Sequence, residues 1–308
     1  STFPWLRYGI LYYRTGLKSR WRNESSEVSL VGRYMQREEL ENIAQTIRED
    51  ILTMALHSGT KGAHIGGGMS CADILAVLYG SIMKYDVADP EWDGRDRFIM
   101  SKAHSAIALY AALRYAGFLS EKDINDALQG RAYLYKHPRM DISHGFEFSG
   151  GSLGQGLALA AGSAVALERR NNKDAKFYVL IGDGECDEGS IWEAASFICH
   201  YHLKNVVPII DLNHLQNDGN TEDVMDLGNM ADRWRSMGYD VIEVNGHDVM
   251  ELQAAFLQET EKPKAIIAHT IKGKGVSFAE NNVDWHISYL TKEMYEQVIG
   301  EWNCAGDK

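Results

Sequence analysis

The sequence predicts a doubly wound α/β fold, a single parallel β-sheet sandwiched between helices, and three observations carry that expectation. Residues 177–181 form an apolar run of strand length, stopped by Gly182-Asp183-Gly184, a turn that glycine makes easily. From Glu188 onward Ile191, Ala194, Ala195 and Ile198 recur at helical spacing, and residues 206–212 return as a second apolar run, closing one βαβ unit at Asn213. The rhythm then repeats, with strands expected at 240–244 and 265–270 around a helix at 249–259.

Taken in order, residues 36–59 place Leu40, Ile43, Ile47, Ile51 and Met54 on one helical face, so a long amphipathic helix is expected to pack on the sheet. A glycine cluster around His64 follows, before a helix that Ser70 could cap. A short strand at 98–100 delivers Ser101, Lys102, Ala103 and His104 to a helix at 106–117. Residues 131–148 are loop-rich and carry His137 and His144, and 150–167 open with glycines before a helix of small residues. The glycine-rich stretch 272–276 lacks a following helix of P-loop type, which leaves nucleotide binding without support.

With 308 residues, 45% of them hydrophobic and 24% charged, the chain is an ordinary globular composition without an apolar run of membrane-span length. A net charge of −12 argues against nucleic acid or an anionic membrane as partner, so an anionic ligand must be held by local charge. The four cysteines show no metal-type pair, which makes reduced thiols in the cytoplasm the default. Residues 1–36 read as an N-terminal extension without a signal-peptide core, equally a surface arm on a neighbouring subunit or a poorly ordered tail, and 37–308 as the folded domain.

In a parallel sheet the ligand crevice lies beyond the carboxyl ends of the strands, where Asp183 and Asn213 both fall. A carboxylate and an amide oxygen, with a backbone carbonyl and phosphate oxygens, make the hard shell that Mg²⁺ prefers. The Asp183 carboxylate is expected to be exposed in that crevice. Taken alone, Gly-Asp-Gly is a common turn, and a histidine at a strand-helix junction is more often a structural hydrogen-bonder.

The spacing 213 − 183 = 30 between the GDG aspartate and the asparagine resembles the thiamine pyrophosphate signature of transketolases and their relatives. Three further stretches resemble that family in the same order: RDRFIMSKAHSAIALYAAL at 95–113, GGSLGQGLALAAG at 150–162, and IKGKGVSFAENNVDWH at 271–286, the last like the split, two-subunit transketolases. The resemblance implies a transketolase pyrophosphate domain. Thiamine pyrophosphate would be cradled by His104, Gly151, Ser152, Leu153, Gly182, Gly184, Glu185, Asn213 and His286. Mg²⁺, or Ca²⁺ or Mn²⁺ in its stead, would be held by Asp183, Asn213 and the carbonyl of Leu215. It further implies that His64, His104, His137 and His286 serve catalysis, and that Glu188 and Glu193 lie at a subunit interface. Ala63 and Ile65 replace the family's Gly and Pro around His64, Ile287 replaces a glycine, and His144 stands at a proline position with its role open.

No stretch resembles the pyrimidine-binding domain, whose glutamate activates the cofactor, so the resemblance implies a second subunit in an α2β2 assembly and an inactive lone chain. The expected activity is transfer of a two-carbon ketol unit from a ketose to an aldose, with the sugars unspecified. Alternatives are a subunit of a 2-oxo acid dehydrogenase or deoxyxylulose phosphate synthase type, and an inactive homologue that only binds a partner.

Overall fold

Along four strands every residue is buried: β1 (Arg97–Met100), β2 (Phe177–Gly182), β3 (Val206–Leu212) and, but for its last residue, the strand Lys264–His269. Successive side chains point to opposite faces, so a strand buried throughout needs cover on both sides. The computed structural model, which describes residues 34–129 and 133–306, supplies that cover. In chain order the helices are α1 (Arg37–His57), α2 (Ile65–Ser70), α3 (Ala72–Val77), α4 (Ala106–Ala116), α5 (Glu121–Asp126), α6 (Gln155–Arg169), α7 (Gly189–His200), α8 (Thr221–Val224), α9 (Met230–Ser236), α10 (Val249–Leu257) and α11 (Lys292–Gly306). The remaining strands are the two-residue pair β4 (Leu215–Gln216) and β5 (Gly219–Asn220), then β6 (Asp240–Asn245) and β7 (Lys264–His269).

The main sheet has the order β1-β2-β3-β7-β6 and every pairing in it is parallel. Phe98, Met100, Tyr178, Leu180, Ile209 and Ile266 join one apolar core with α1, α3, α4 and α10. Ile99, Val179, Ile181, Ile210 and Ile267 face the other, with α6, α7 and α9. The doubly wound sandwich is thus the expected fold. Pro208 has no N–H to give, and it sits in central β3 at a point where the register with β7 has not begun, which starts at Ile209↔Ile266.

Two local expectations are corrected. α1 packs chiefly on α3 and α4 rather than on the sheet, because α3 and α4 already cover that face and α1 forms a further layer. Ser70 caps no helix: it closes α2, and its hydroxyl donates to Gly67 O at 3.0 Å and to Asp211 Oδ2 at 2.6 Å. A buried carboxylate is the stronger acceptor and claims the hydroxyl. The expectation for residues 1–36 lies, apart from 34–36, outside the described residues.

Candidate active site at the carboxyl edge of the sheet

The ends of β1, β2 and β3 open onto a cavity of about 300 Å³ lined among others by Lys102, His104, Asp183, Asn213, Lys272 and His286. Asp183 follows β2 and Asn213 follows β3, two strands paired in register from Phe177↔Val206 to Gly182↔Asp211, so the two residues face each other as neighbours. The Asp183 carboxylate accepts the backbone N–H groups of Gly184 at 2.8 Å, of Asn213 at 2.9 Å and of His214. It is 5% exposed, which corrects the expected open position: the turn folds its own amides around the acid. Burial, and then the neighbouring Asp211, push the carboxyl up to about 6. Asn213 Oδ1 accepts the N–H of Leu215 at 3.2 Å, and the Leu215 carbonyl accepts Lys272 Nζ at 2.8 Å. Carboxylate, amide and carbonyl oxygens on one short stretch of wall are the donor chemistry of a hard divalent cation, and the Leu215 carbonyl already faces a positive charge. Among the described residues no three His, Cys, Asp or Glu side chains converge as a metal cluster, which this set, with its single carboxylate, does not require.

Behind this wall lies a buried ion pair that the sequence motifs do not single out. Asp211, within β3, is fully buried and accepts Lys102 Nζ, the Ser70 hydroxyl and the Thr270 hydroxyl. Lys102 also donates to Gly67 O at 3.0 Å. Burial opposes charge on both groups, yet each partner outweighs it: Lys102 is held above its ordinary range and Asp211 below. The available signal is an aspartate inside the otherwise apolar run 206–212, since such a residue is rarely buried without a partner. Lys102 and Lys272 place two cations at the cavity of an acidic chain, the local charge that a diphosphate needs.

Four histidines from four separate segments converge here. Ala63 pairs with Ser288 in an isolated antiparallel bridge, which draws the loop of His286 to that of His64, with ring centroids 5.5 Å apart. His64 lies 5.4 Å from His104 and 6.2 Å from His137, and His104 lies 5.0 Å from His286. Gly67 permits this approach, because a Cβ there would stand 2.7 Å from Ser105 Oγ and 3.3 Å from His104 Nε2. Lys272 Nζ donates to His286 Nδ1 at 2.9 Å, so the His286 proton resides on Nε2 and that nitrogen is a donor.

Burial first, then His137 and nearby lysines, push His64 down to about 4. Burial, then Lys272, push His286 down to about 3. His104 is held well below the usual range by burial and Lys102. The rings are therefore neutral at pH near 7 and can both donate and accept hydrogen bonds. Unfolded histidines take up protons below about 6.5, whereas these do so only well below that value, so their contribution is fully present above the unfolded value and lost as pH falls towards about 4. In urea titrations the wild-type midpoint should lose ground to that of His64→Asn as pH falls from about 6.5 towards about 4. A His64→Asn slope identical to wild type would remove His64 from this account.

The other expected site residues are placed unevenly. Gly151, Leu153, Gly182 and Gly184 line the cavity, whereas Ser152 is exposed beside it. Glu185 also lines it, but its carboxylate is taken up by the Ser101 hydroxyl, Gly154 N–H at 2.8 Å and Gly182 N–H at 3.1 Å, and so buckles three loops together. His144 stands outside the cluster, bonded through Nδ1 to Asp141 at 2.7 Å and packed on Tyr133. Glu188, the residue before α7, and Glu193 on α7 are exposed.

An all-parallel sheet whose carboxyl edge combines hard oxygen donors, two buried cations and neutral histidines defines an α/β domain that holds a phosphorylated cofactor. The chain belongs to the transketolase family: residues 40–305 match the family described as "Transketolase, thiamine diphosphate binding domain". It is 41% identical over 271 residues to an apulose-4-phosphate transketolase subunit of Phocaeicola vulgatus, covering 87% of this chain and 95% of that one. It is 36% identical to a 6-deoxy-6-sulfo-D-fructose transketolase subunit of a Clostridium species, covering 88% of this chain and 98% of the relative. Among solved structures it superposes on transketolase from Leishmania mexicana with a TM-score of 0.79 and 31% identity, over 88% of this chain and 42% of that one.

Proposed function

We propose that this chain is the pyrophosphate-binding subunit of a split transketolase that moves a two-carbon ketol unit from a ketose to an aldose. The observation that carries the reading is the convergence of His64, His104, His137 and His286 over the Asp183 and Asn213 wall. Asp183, Asn213 and the Leu215 carbonyl would hold a divalent cation, Mg²⁺ by the hardness of the donors, while Lys102, Lys272 and His104, which line the same cavity, would offer the diphosphate positive charge and hydrogen bonds. Thiamine pyrophosphate, when bound, supplies the electron sink for cleavage of the bond beside the ketose carbonyl. The His286 Nε2–H would donate to a bound oxygen, and His64 and His137 would orient sugar hydroxyls, with the neutral His64 ring able to accept or return a proton there. Two relatives whose names specify a sugar phosphate and a sulfosugar support a donor with an anionic terminus.

A second chain carrying the pyrimidine-binding domain completes the site in this reading, in an α2β2 assembly. The outer surface of α6 and α7 supports it: Ala158, Leu159, Gly162 and Ala166 on α6 and Phe197 on α7 are exposed and uncharged, close to Glu188 and Glu193. The test is a ketol-transfer assay with mass measurement on the chain with and without that partner. Activity should require both chains, and His137→Ala should lower kcat more than it weakens cofactor affinity. Full activity from this chain alone would refute the split reading.

A further inference from the structure

Away from the cavity wall, a buried chain of polar groups runs from α1 to the glycine-rich loop. Arg48 on α1 grips Asp73 on α3 with both terminal nitrogens, Nη1 to Oδ1 at 3.1 Å and Nη2 to Oδ2. Asp73 Oδ2 also meets His247 Nδ1 at 2.8 Å, and His247 Nε2 accepts the backbone N–H of Ile271 at 2.8 Å. A backbone N–H can only donate, so Nε2 carries no proton and Nδ1 donates to Asp73. One neutral tautomer satisfies every partner. Burial works against the Asp73 charge, but Arg48 and His247 hold that carboxyl below its ordinary range, an acceptor matched to the Nδ1 proton.

Ile271 precedes Lys272, whose ammonium touches both the Leu215 carbonyl and His286. Further along, the loop is held by Gly273 N–H on Gly66 O at 2.9 Å, Gly275 N–H on Glu280 at 2.8 Å and Trp302 Nε1 on Gly275 O at 2.7 Å. Gly273, at φ +81, leaves no room for a side chain, since a Cβ would stand 2.3 Å from Ala279 O. Where the loop leaves β7, Thr270 is tied to β3 through its N–H on Leu212 O at 3.0 Å and its hydroxyl on Asp211, and the His247 contact adds the anchor on the next peptide, the one that precedes Lys272. A buried ion pair is weak evidence for net stability, and Arg48 Nε lies buried without a hydrogen-bond partner. A network that is costly to bury and ends on the peptide before Lys272 serves geometry.

We propose that Arg48, Asp73 and His247 are positioning residues that fix the Ile271 N–H and thereby the place at which Lys272 Nζ enters the cavity. The proposal rests on the reading of that cavity as the thiamine pyrophosphate site. Glutamine at 247 keeps an acceptor near the place of Nε2, and alanine removes it. His247→Ala should speed amide exchange across 271–276 by about tenfold and weaken thiamine pyrophosphate binding by the assembled enzyme by about as much, one hydrogen bond's worth; His247→Gln should restore both towards wild type. Long-range nitrogen NMR of the wild-type chain, with the His247 signal assigned by its loss in His247→Gln, should show Nδ1 protonated and Nε2 bare, a readout independent of whether the alanine variant folds. A proton on Nε2, unchanged exchange in His247→Ala, or a glutamine variant no better than alanine would overturn the relay. If the wild-type assembly binds no thiamine pyrophosphate while tautomer and exchange behave as stated, the cofactor reading falls and the loop anchor stands.

Discussion

Asp183→Asn is expected to abolish metal-dependent binding of thiamine pyrophosphate, with affinity falling by more than about 100-fold, beyond the loss seen when a group that merely orients a ligand is removed. The substitution keeps size and one acceptor oxygen but removes the only carboxylate in the proposed shell. Asparagine rather than alanine is the informative change, because the Asp183 carboxylate also satisfies the N–H groups of Gly184 through Oδ1 and of Asn213 and His214 through Oδ2, and an amide oxygen in the place of Oδ2 keeps the last two while only Gly184 N–H loses its acceptor. Alanine would strand these donors at roughly 1–3 kcal/mol for each buried group left unsatisfied, and so confound loss of ligand with loss of fold. Calorimetry of the variant mixed with its partner chain, titrated with cofactor at fixed Mg²⁺, measures the effect. Wild-type affinity in a folded Asp183→Asn protein would sink the metal assignment.

Lys102→Met should destabilise the chain by about 3–5 kcal/mol, because it leaves the fully buried Asp211 charge without its counter-ion. For a chain of this size that corresponds to a fall in Tm on the order of 10 °C. The Ser70 and Thr270 hydroxyls still donate to Asp211, but neutral donors do not replace an ammonium. Urea unfolding gives the number. The double variant Lys102→Met, Asp211→Asn should recover part of the loss, since it removes the stranded charge as well. A single-variant loss below about 1 kcal/mol, the range of an exposed pair, would show that the pair is not buried as described.

The histidine cluster and the lysines differ in how far the sequence discloses them. His64, His104, His137 and His286 are legible as candidates through their flanking motifs, and their places in loops follow from strand and helix periodicity. Lys102 and Lys272 lie inside the same motifs without standing out. Lysine at a strand end or in a glycine-rich loop looks like solvated surface until the structure shows it buried at 1% and 2% exposure. The resemblance names Glu185 as a cofactor contact, whereas its carboxylate proves to be the buckle between the Ser101 hydroxyl and the Gly154 and Gly182 N–H groups.

What the sequence by itself determined is whatever depends on short-range order. The apolar period set β2, α7 and β3 to within a residue, and those three elements brought Asp183 and Asn213 to adjacent strand ends. The motifs named the family and the cofactor class. Tertiary structure alone decided how distant pieces meet: Lys102 with Asp211, 109 residues apart; Asp73 with His247, 174 apart; and the Ala63–Ser288 bridge that closes the histidine cluster. Periodicity reports which face of an element is buried. It carries no information on which other element buries it, because that depends on sheet order and on which loops the crossovers bring to the same edge, and here the order β1-β2-β3-β7-β6 places the ends of β1, β2 and β3 and the loop that follows β7 around one cavity.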